Sequence, residues 1–329
     1  MLKIAVIGTG GWGTANAILL SGKGHDVFLW GRNPAAVDAM RRTRTNPLYL
    51  PGVVIPDAVH ITSDRNEAVR DADIVAFAVP SRFLDEVCES FAGMVGMDAI
   101  AVSLTKGFCE RTHRRMSEII ASTLGVSRVA VLSGPSHAEE VARGIPTAIV
   151  AAARSPHDAK AVQSAWNCGT FRVYTSDDPI GVEVGGVVKN VSAIAVGCSD
   201  GLGYGDNTRA ALITRGLAEI SRFARACGAK PHTPSGLSGM GDLIVTCTSR
   251  HSRNRAVGER LGRGEKIGDI LSSMKMVAEG VWNSHVVKAM GESLGVEMPI
   301  TEAVYGVCHE GLSVHDAIVS LMNRPLKDE

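Results

Sequence analysis

The sequence predicts a doubly wound α/β domain with a mostly parallel sheet, followed by an all-α domain. Seven short apolar runs, rich in β-branched residues, alternate with helical stretches in the first half of the chain. Because these runs are apolar almost throughout, we expect strands buried on both faces, as in a sheet covered by helices on both sides. Beyond about Asp178 the runs give way to long segments with helical spacing, such as 207–226 and 280–294.

The spacing between the predicted strands leaves room for right-handed crossover helices. The strands are predicted at 3–7, 26–30, 73–79, 99–104, 128–132, 148–152 and 171–174. A last helix is predicted over about 313–322 and is ended by Pro325. The change of pattern predicts one domain over 1–178 and a second over 179–329, with a ligand site expected between them.

The composition excludes several classes of protein. Thirty-four basic residues balance thirty-four acidic ones, so no global charge attracts nucleic acid or an anionic membrane. The seven cysteines are scattered and none forms a C-x-x-C pair, so neither a disulfide framework nor a metal site is predicted. The apolar stretch 184–197 is expected to be too short to span a bilayer. We therefore expect a cytoplasmic protein without nucleic-acid or membrane partners.

A glycine-rich motif follows the first predicted strand and precedes a helical stretch at 14–21. The residues that form this G-x-G-x-x-G pattern are Gly8, Thr9, Gly10, Gly11, Trp12 and Gly13. Its first glycine permits a sharp turn, its second lets backbone approach a pyrophosphate, and its third lets the helix pack close to the strand. The helix N-terminus then offers free N–H groups to phosphates. This context predicts a dinucleotide site on a Rossmann-like sheet.

The end of the second predicted strand bears on which dinucleotide binds there. A carboxylate at this position would accept hydrogen bonds from the ribose 2′-hydroxyl of NAD and repel a 2′-phosphate. The sequence instead continues as Gly31, Arg32 and Asn33. Arg32 can pair with a 2′-phosphate, so NADP(H) is favoured and NAD(H) remains possible. The alternative is that Arg32 is a solvated surface residue.

Further segments stand in a fixed order along the rest of the chain. They are Ala78-Val79-Pro80-Ser81, Thr105-Lys106-Gly107, Ser133-Gly134-Pro135-Ser136, 183–190, 201–207, 210–216, 236–242 and Ser252-Arg253-Asn254-Arg255. Together with the glycine motif, this set resembles the bacterial-type NAD(P)-dependent glycerol-3-phosphate dehydrogenase family over essentially the whole chain. The resemblance implies reversible reduction of dihydroxyacetone phosphate to sn-glycerol 3-phosphate, which supplies glycerophospholipid synthesis. It also implies a homodimer.

The resemblance gives Lys189 the role of general acid/base. Hydride addition to the carbonyl carbon leaves an alkoxide that must receive a proton, and a positioned ammonium group can supply it. Asp242 resembles a substrate-binding carboxylate that also holds this lysine. Without the resemblance, Lys189 would be expected to extend to water from an apolar helix, and Asp242 to cap a helix.

Other positions match substrate and cofactor contacts of the family. The implied substrate-binding residues are Lys106, Gly134, Ser136, Lys189, Asp242, Ser252, Arg253 and Asn254. The implied cofactor-binding residues are Gly8, Gly10, Gly11, Trp12, Gly13, Arg32, Lys106, Ala138, Arg253, Val277 and Glu279. An arginine between a hydroxyl and an amide supplies convergent donors for a phosphate, although residues 250–255 also fit an exposed basic loop. His137 departs from the family, which usually has Phe there, and is expected to preserve activity.

Two other functions fit parts of the sequence. A related two-domain dehydrogenase of a small hydroxy acid, such as a 3-hydroxy acid or ketopantoate, would need a carboxylate site in place of the phosphate donors. A non-catalytic NADP(H) sensor would keep the glycine motif but would not need Lys189, Asp242 and the Ser252 to Arg255 cluster.

Overall fold

A computed structural model describes residues 1–274, 276–326 and 328, and the chain separates into two compact units, Met1–Glu183 and Val184–Glu329. The first unit is a mixture of strands and helices, and the second is built from helices. The fold class predicted from the sequence is therefore confirmed. The domain boundary predicted after Asp178 stays a prediction.

The first unit alternates strands and helices along the chain. Its elements are β1 (Lys3–Ile7), α1 (Gly11–Gly22), β2 (Asp26–Trp30), α2 (Pro34–Thr43), β3 (Thr45–Asn46), β4 (Leu50–Val54), β5 (Val59–Thr62), α3 (Arg65–Val69), β6 (Ile74–Phe77), α4 (Leu84–Ser90), β7 (Ile100–Ser103), α5 (Met116–Leu124), β8 (Val129–Ser133), α6 (Ala138–Val141), β9 (Thr147–Ala153), α7 (Pro156–Trp166) and β10 (Phe171–Ser176). All seven predicted strands are present, with ends shifted by at most two residues.

Eight of these strands form one sheet in the order β10-β9-β8-β7-β6-β1-β2-β5. Every neighbouring pair is parallel except β8 and β9. The chain leaves β1 in one direction to form β2 and β5, then returns to the other side to form β6. The strand order therefore reverses at β1, and in such sheets ligands bind beyond the carboxyl end of the strand where this happens.

The sheet is covered by helices on both faces, as the apolar strands predict. Along β1, Ile4 and Val6 contribute to a core with α1, α2 and α7, whereas Ala5 and Ile7 face α3, α4 and α5. Residues one apart point to opposite faces of a strand, so a strand buried on both sides must be apolar at every position.

Three strands were not predicted, namely β3, β4 and β5. The pair β3 and β4 forms a small antiparallel sheet whose second strand contains Pro51 and Gly52. Those residues are typical of turns, which explains why no strand was predicted there. The edge strand β5 has four residues, and such a short run has too few positions to establish a period.

Helix α8 (Pro179–Gly201) carries the chain into the second unit. The second unit continues with α9 (Asp206–Ala226), α10 (Asp242–Thr248), α11 (Arg253–Gly262), α12 (Ile267–Ser273), α13 (Glu279–Leu294), α14 (Pro299–His309) and α15 (Val314–Met322). A core of Val191, Ile194 and Cys198 from α8 packs with apolar residues of α11 to α14.

Residues 184–197 are expected from the sequence to be too short to span a bilayer. This expectation is wrong, because the helix that contains them is longer than the apolar stretch. The stretch belongs to the 23-residue helix α8, which by length and composition could cross a bilayer. However, 89% of its most apolar window is buried inside the protein, which is also typical of the core helix of a folded domain. Its apolar character is therefore accounted for by packing.

Candidate active site

The glycine motif forms the predicted turn between β1 and α1. Gly8 adopts a φ of +117°, and a Cβ there would lie 2.6 Å from the Ala78 carbonyl oxygen. A Cβ at Gly13 would lie 1.9 Å from the Gly8 carbonyl oxygen, so both positions exclude any side chain. Gly10 borders open space, and α1 begins at Gly11 without a side-chain cap. The uncapped N–H groups and the open space beside Gly10 fit a pyrophosphate.

The segment containing β3 and β4 holds this turn in place. The buried Asn46 side chain donates hydrogen bonds to the Thr9 carbonyl oxygen (2.8 Å) and to Thr14 Oγ1 (2.9 Å). A Cβ at Gly11 would lie 2.5 Å from the Tyr49 carbonyl oxygen, so the segment passes directly over the start of α1. Sequence reasoning missed Asn46, because a single asparagine more than thirty residues beyond the glycine motif carries no local signal.

Arg32 lies just beyond β2, where the sequence predicts the ribose end of the dinucleotide. Its side chain is exposed, and its guanidinium carbon lies 5.8 Å from the centroid of the Phe83 ring. The next residue, Asn33, caps α2 by accepting a hydrogen bond from the Ala36 N–H (3.2 Å). The position of Arg32 fits a contact with a 2′-phosphate.

Lys106, Gly134 and Ser136 come together beyond the neighbouring strands β7 and β8. Lys106 Nζ donates to the Gly134 carbonyl oxygen at 3.1 Å, and Ser136 Oγ donates to the same atom at 2.9 Å. Gly134 has a backbone φ of +148°, which residues other than glycine rarely adopt. Both predicted substrate donors therefore converge on one carbonyl at the carboxyl edge of the sheet.

His137 and Ala138 follow this cluster and begin α6. His137 is the N-terminal flanking residue of α6, and Ala138 is its first residue. A Cβ placed on Gly11 would lie 3.6 Å from the Ala138 Cβ, so Ala138 borders the glycine turn. This position fits the predicted cofactor contact of Ala138.

In the second unit, Lys189 is buried and makes a polar cluster with α10. Its Nζ donates to Asp242 Oδ1 and to Thr246 Oγ1, both at 2.7 Å. Lys189 is 6% exposed and Asp242 is 1% exposed. The alternative in which this lysine extends to water is therefore excluded. Thr246 was not predicted, although its position four residues after Asp242 places it on the same helix face, and this spacing could have indicated it.

Close backbone packing brings α10 to Lys189. A Cβ at Gly185 on α8 would lie 2.7 Å from the Ser238 carbonyl oxygen, in the wide turn Leu237–Gly241 that leads into Asp242. Any side chain at Gly185 would push this turn away from α8. The glycine one helical turn before Lys189 therefore permits the contact between the ammonium and the carboxylate.

Ser252, Arg253 and Asn254 lie at the start of α11 but differ in exposure. Ser252 is buried and caps α11, accepting a hydrogen bond from the Arg255 N–H at 3.2 Å. Asn254 is buried too, and its amide donates to Asn190 Oδ1 (2.9 Å) and accepts from the Gly280 N–H (2.9 Å). Arg253 is exposed. Thus one of the three predicted phosphate donors faces solvent, and the other two also fix the start of α11.

Asn190 and Gly280 connect this helix start to two other predicted residues. Asn190 follows Lys189 directly, and Gly280 follows Glu279 at the start of α13. The Asn254 side chain therefore ties α8, α11 and α13 together beside the lysine. Val277 is half-buried in the segment before α13.

Two family models match the chain, one for each half. Residues 3–159 match the N-terminus of NAD-dependent glycerol-3-phosphate dehydrogenase, and residues 178–319 match its C-terminus. The chain belongs to this family. It is accordingly an NAD(P)-dependent oxidoreductase that acts on a CH–OH group.

Relatives within the glycerol-3-phosphate dehydrogenase family match over nearly the full length. The glycerol-3-phosphate dehydrogenase [NAD(P)+] of Prosthecochloris aestuarii is 50% identical over 329 residues, covering 99% of both chains. That of Moorella thermoacetica is 47% identical, covering 99% of this chain and 97% of the relative. The crystal structure of glycerol-3-phosphate dehydrogenase from Coxiella burnetii is 38% identical, with a TM-score of 0.95 over 98% of this chain and 99% of the other.

Proposed function

We propose that the protein reduces dihydroxyacetone phosphate reversibly to sn-glycerol 3-phosphate, with Lys189 as the general acid/base. The observation that supports this role is the buried Lys189 ammonium, which Asp242 and Thr246 hold at 2.7 Å. A buried lysine is costly unless it is paired, so a chain that keeps one in an apolar helix beside a carboxylate gains something other than stability from it.

Lys189 is proposed to hold and move the proton of the reaction. NAD(P)H, when bound, supplies the hydride that converts the carbonyl carbon to an alcohol. Lys189 Nζ donates a proton to the carbonyl oxygen as negative charge develops there, and takes the proton back in the reverse direction. Asp242 and Thr246 fix the position of Nζ, so little reorganisation is needed when the substrate arrives.

The phosphate group of the substrate is proposed to bind at the start of α11. Arg253 is the exposed cation there, and its planar fork suits a phosphate oxygen pair. Ser252 and Asn254 are proposed to contribute donors while also holding the helix start. Lys106, Gly134 and Ser136 are proposed substrate contacts from the first unit. Binding energy from the non-reacting phosphate then orients the carbonyl for reaction.

The dinucleotide is proposed to lie on the glycine turn of the first unit. The uncapped start of α1 and the space beside Gly10 support pyrophosphate binding there, and Trp12, Ala138, Val277 and Glu279 are further proposed contacts. Arg32 in place of a carboxylate favours NADP(H), with NAD(H) as a second possible cofactor.

The setting of the reaction is also a proposal. The balanced charge and the seven free cysteines support a cytoplasmic enzyme that acts on a small molecule. We infer a homodimer that binds neither nucleic acid nor membranes, and whose product supplies glycerophospholipid synthesis.

A substrate assay with the full chain tests this proposal. Oxidation of NADPH should start on addition of dihydroxyacetone phosphate and not with ketopantoate or another 2-keto acid. Lys189→Ala should lower kcat by about 10²- to 10⁴-fold, the usual contribution of a positioned acid/base. NADPH binding, followed by fluorescence titration, should stay within about two-fold because Lys189 lies outside the glycine turn.

A matched control is Lys230→Ala, which removes a second lysine of the same unit that is exposed. This variant should keep full activity. Activity of Lys189→Ala within ten-fold of the wild type would contradict the role of Lys189. Turnover of a 2-keto acid in preference to dihydroxyacetone phosphate would contradict the substrate.

A further inference from the structure

Arg255 completes the motif at the start of α11, but its side chain has no part in the site described so far. Its guanidinium pairs with Asp200 of α8, with Nε and Nη2 both 2.7 Å from Asp200 Oδ2. The Arg255 side chain is 21% exposed and that of Asp200 is 6% exposed, so the pair is largely buried. Burying two charges carries a desolvation cost, so stability alone does not explain why the chain keeps this pair.

Asp200 binds a second arginine through its other oxygen. Arg209 of α9 donates to Asp200 Oδ1 from Nε (3.2 Å) and from Nη2 (2.8 Å). The carboxylate therefore joins both α9 and α11 to α8. Arg209 also pairs with Asp206, and Arg255 lies 4.0 Å from Glu259, but the side chains of these two acids are 93% and 29% exposed. Asp200 is thus the closer and more deeply buried partner of Arg255.

The ion pair fixes how α11 lies along α8. Asp200 follows Lys189 by eleven residues, which is about three helical turns, so the two residues lie on the same side of α8. A Cβ at Gly197 would lie 2.1 Å from the Arg255 carbonyl oxygen, so the backbones of α8 and α11 touch here. Backbone contact of this kind limits the separation of two helices but permits sliding, whereas a guanidinium paired through two nitrogens has a fixed direction.

Cys247 of α10 lies near this ion pair and near the Lys189 pair. The residue is buried, and burial raises the pKa of its thiol to about 12. The charges of Lys189 and Arg255 act to lower this pKa, while those of Asp200 and Asp242 act to raise it. Because the effect of a charge falls with distance, both ion pairs lie in the neighbourhood of this one thiol.

We propose that Asp200 is a positioning residue, which holds Arg255 and thereby sets where the start of α11 lies relative to Lys189. This inference rests on the proposed function, in which the start of α11 binds the substrate phosphate. Asp200 itself contacts neither substrate nor cofactor in this proposal. Its effect should fall on binding of the phosphate rather than on proton transfer, because Lys189 is held separately by Asp242 and Thr246.

Steady-state kinetics of the full chain with dihydroxyacetone phosphate and NADPH test this proposal. Asp200→Asn keeps the size of the side chain and removes its charge, so Arg255 loses its charged partner. The KM for dihydroxyacetone phosphate should rise about 10-fold, while kcat should stay within about three-fold. The affinity for NADPH, followed by fluorescence titration, should stay within about two-fold. A general loss of structure would instead lower kcat and weaken both ligands.

Substitutions of Arg255 test the same contact and leave Asp200 in place. Arg255→Lys keeps the charge but loses the planar fork, so KM should rise about three-fold. Arg255→Gln should match Asp200→Asn, and the double variant should have a KM no higher than either, because both substitutions break one contact. If the two increases in KM multiplied in the double variant, the residues would act independently and the inference would be overturned.

Asp206→Asn is the matched control. Asp206 also pairs with Arg209, but its side chain is 93% exposed and it lies outside the Arg255 pair in the contacts that the structure describes. This variant should change neither KM nor kcat. An equal rise in KM for Asp206→Asn and Asp200→Asn would show that the effect does not pass through Arg255.

The outcome is separable from that of the proposed reaction. If the wild type failed to reduce dihydroxyacetone phosphate, the proposed function would be refuted, and this inference with it. If the wild type reduced this substrate but Asp200→Asn and Arg255→Gln left KM unchanged, the reaction would stand and Asp200 would lose its role.

Discussion

Lys189, Asp242 and Thr246 show how the chain keeps a charged group inside an apolar helix. The ammonium and the carboxylate are both almost wholly buried, so each compensates the desolvation of the other. Thr246 Oγ1 donates to the Asp242 carbonyl oxygen at 2.6 Å and accepts from Lys189 Nζ, which orients the pair. Removing one member leaves a buried polar atom unsatisfied, so the three residues behave as one unit.

The hydroxyl of Thr246 is expected to matter for turnover rather than for shape. Thr246→Val keeps the volume but loses the acceptor for Lys189, and we expect kcat to fall roughly 10-fold. Thr246→Ser keeps the hydroxyl and should retain activity within about two- to three-fold. Steady-state kinetics with dihydroxyacetone phosphate check both. Equal activities of the Val and Ser variants would show that the hydroxyl does not position the lysine.

Helices α8 and α11 approach closely enough for backbone to meet backbone. A Cβ at Gly258 would lie 2.0 Å from the Ile194 carbonyl oxygen, and a Cβ at Gly197 would lie 2.1 Å from that of Arg255. Gly201 and Gly262 make the same kind of contact one turn further on. Because α8 carries Lys189 and α11 begins with Arg253, this crossing sets the distance between the proposed acid/base and the proposed phosphate site.

Gly258→Ala should therefore disturb both stability and substrate binding. Its new methyl group cannot fit against backbone, and we expect a loss of unfolding free energy of about 1 to 3 kcal/mol. The KM for dihydroxyacetone phosphate should rise, since α11 must shift. Denaturant unfolding and steady-state kinetics measure the two effects.

Gly268→Ala is the control for this substitution, because Gly268 lies in α12 with open space around it. There alanine should be neutral or stabilising by up to about 1 kcal/mol, as in other exposed helix positions. If Gly258→Ala matched Gly268→Ala in both measurements, the close crossing would have no functional consequence.

The net charge of the chain is balanced, so we do not expect overall charge repulsion to control its stability near neutral pH. We expect the pH dependence of its stability to come from buried carboxyl groups instead. Burial raises the pKa of Glu219 to about 7, although the Ile300 and Thr301 N–H groups donate to its carboxylate and Arg222 lies near. Burial likewise raises the pKa of Glu183, against the effect of Arg115. A folded-state pKa above the unfolded value means that stability falls as pH rises between the two values.

For Glu219 the window runs from about pH 4.5 to about pH 7. Replacing it with glutamine removes this titration, so the wild type should lose unfolding free energy relative to Glu219→Gln as pH rises through the window. The loss should be on the order of 3 kcal/mol. Denaturant unfolding at pH 5, 6, 7 and 8 measures it. Glu302→Gln changes an exposed glutamate on α14 and should run parallel to the wild type. A pH-independent difference for Glu219→Gln would refute the role of burial.

The sequence by itself determined the class of fold and the kind of chemistry. Continuous apolar strands require burial on both faces, and Gly8 and Gly13 occupy positions where no side chain fits. Both signals are local, because each depends on residues that are close together in the sequence. The family motifs pointed to Lys189 and Asp242, which the structure joins. Only the tertiary structure decided that Thr246 completes this cluster, that Asn46 holds the glycine turn in place, and that the Phe83 ring lies beside Arg32. Each of these depends on residues from separate elements, and the distance between such residues is set by packing, which no local pattern encodes.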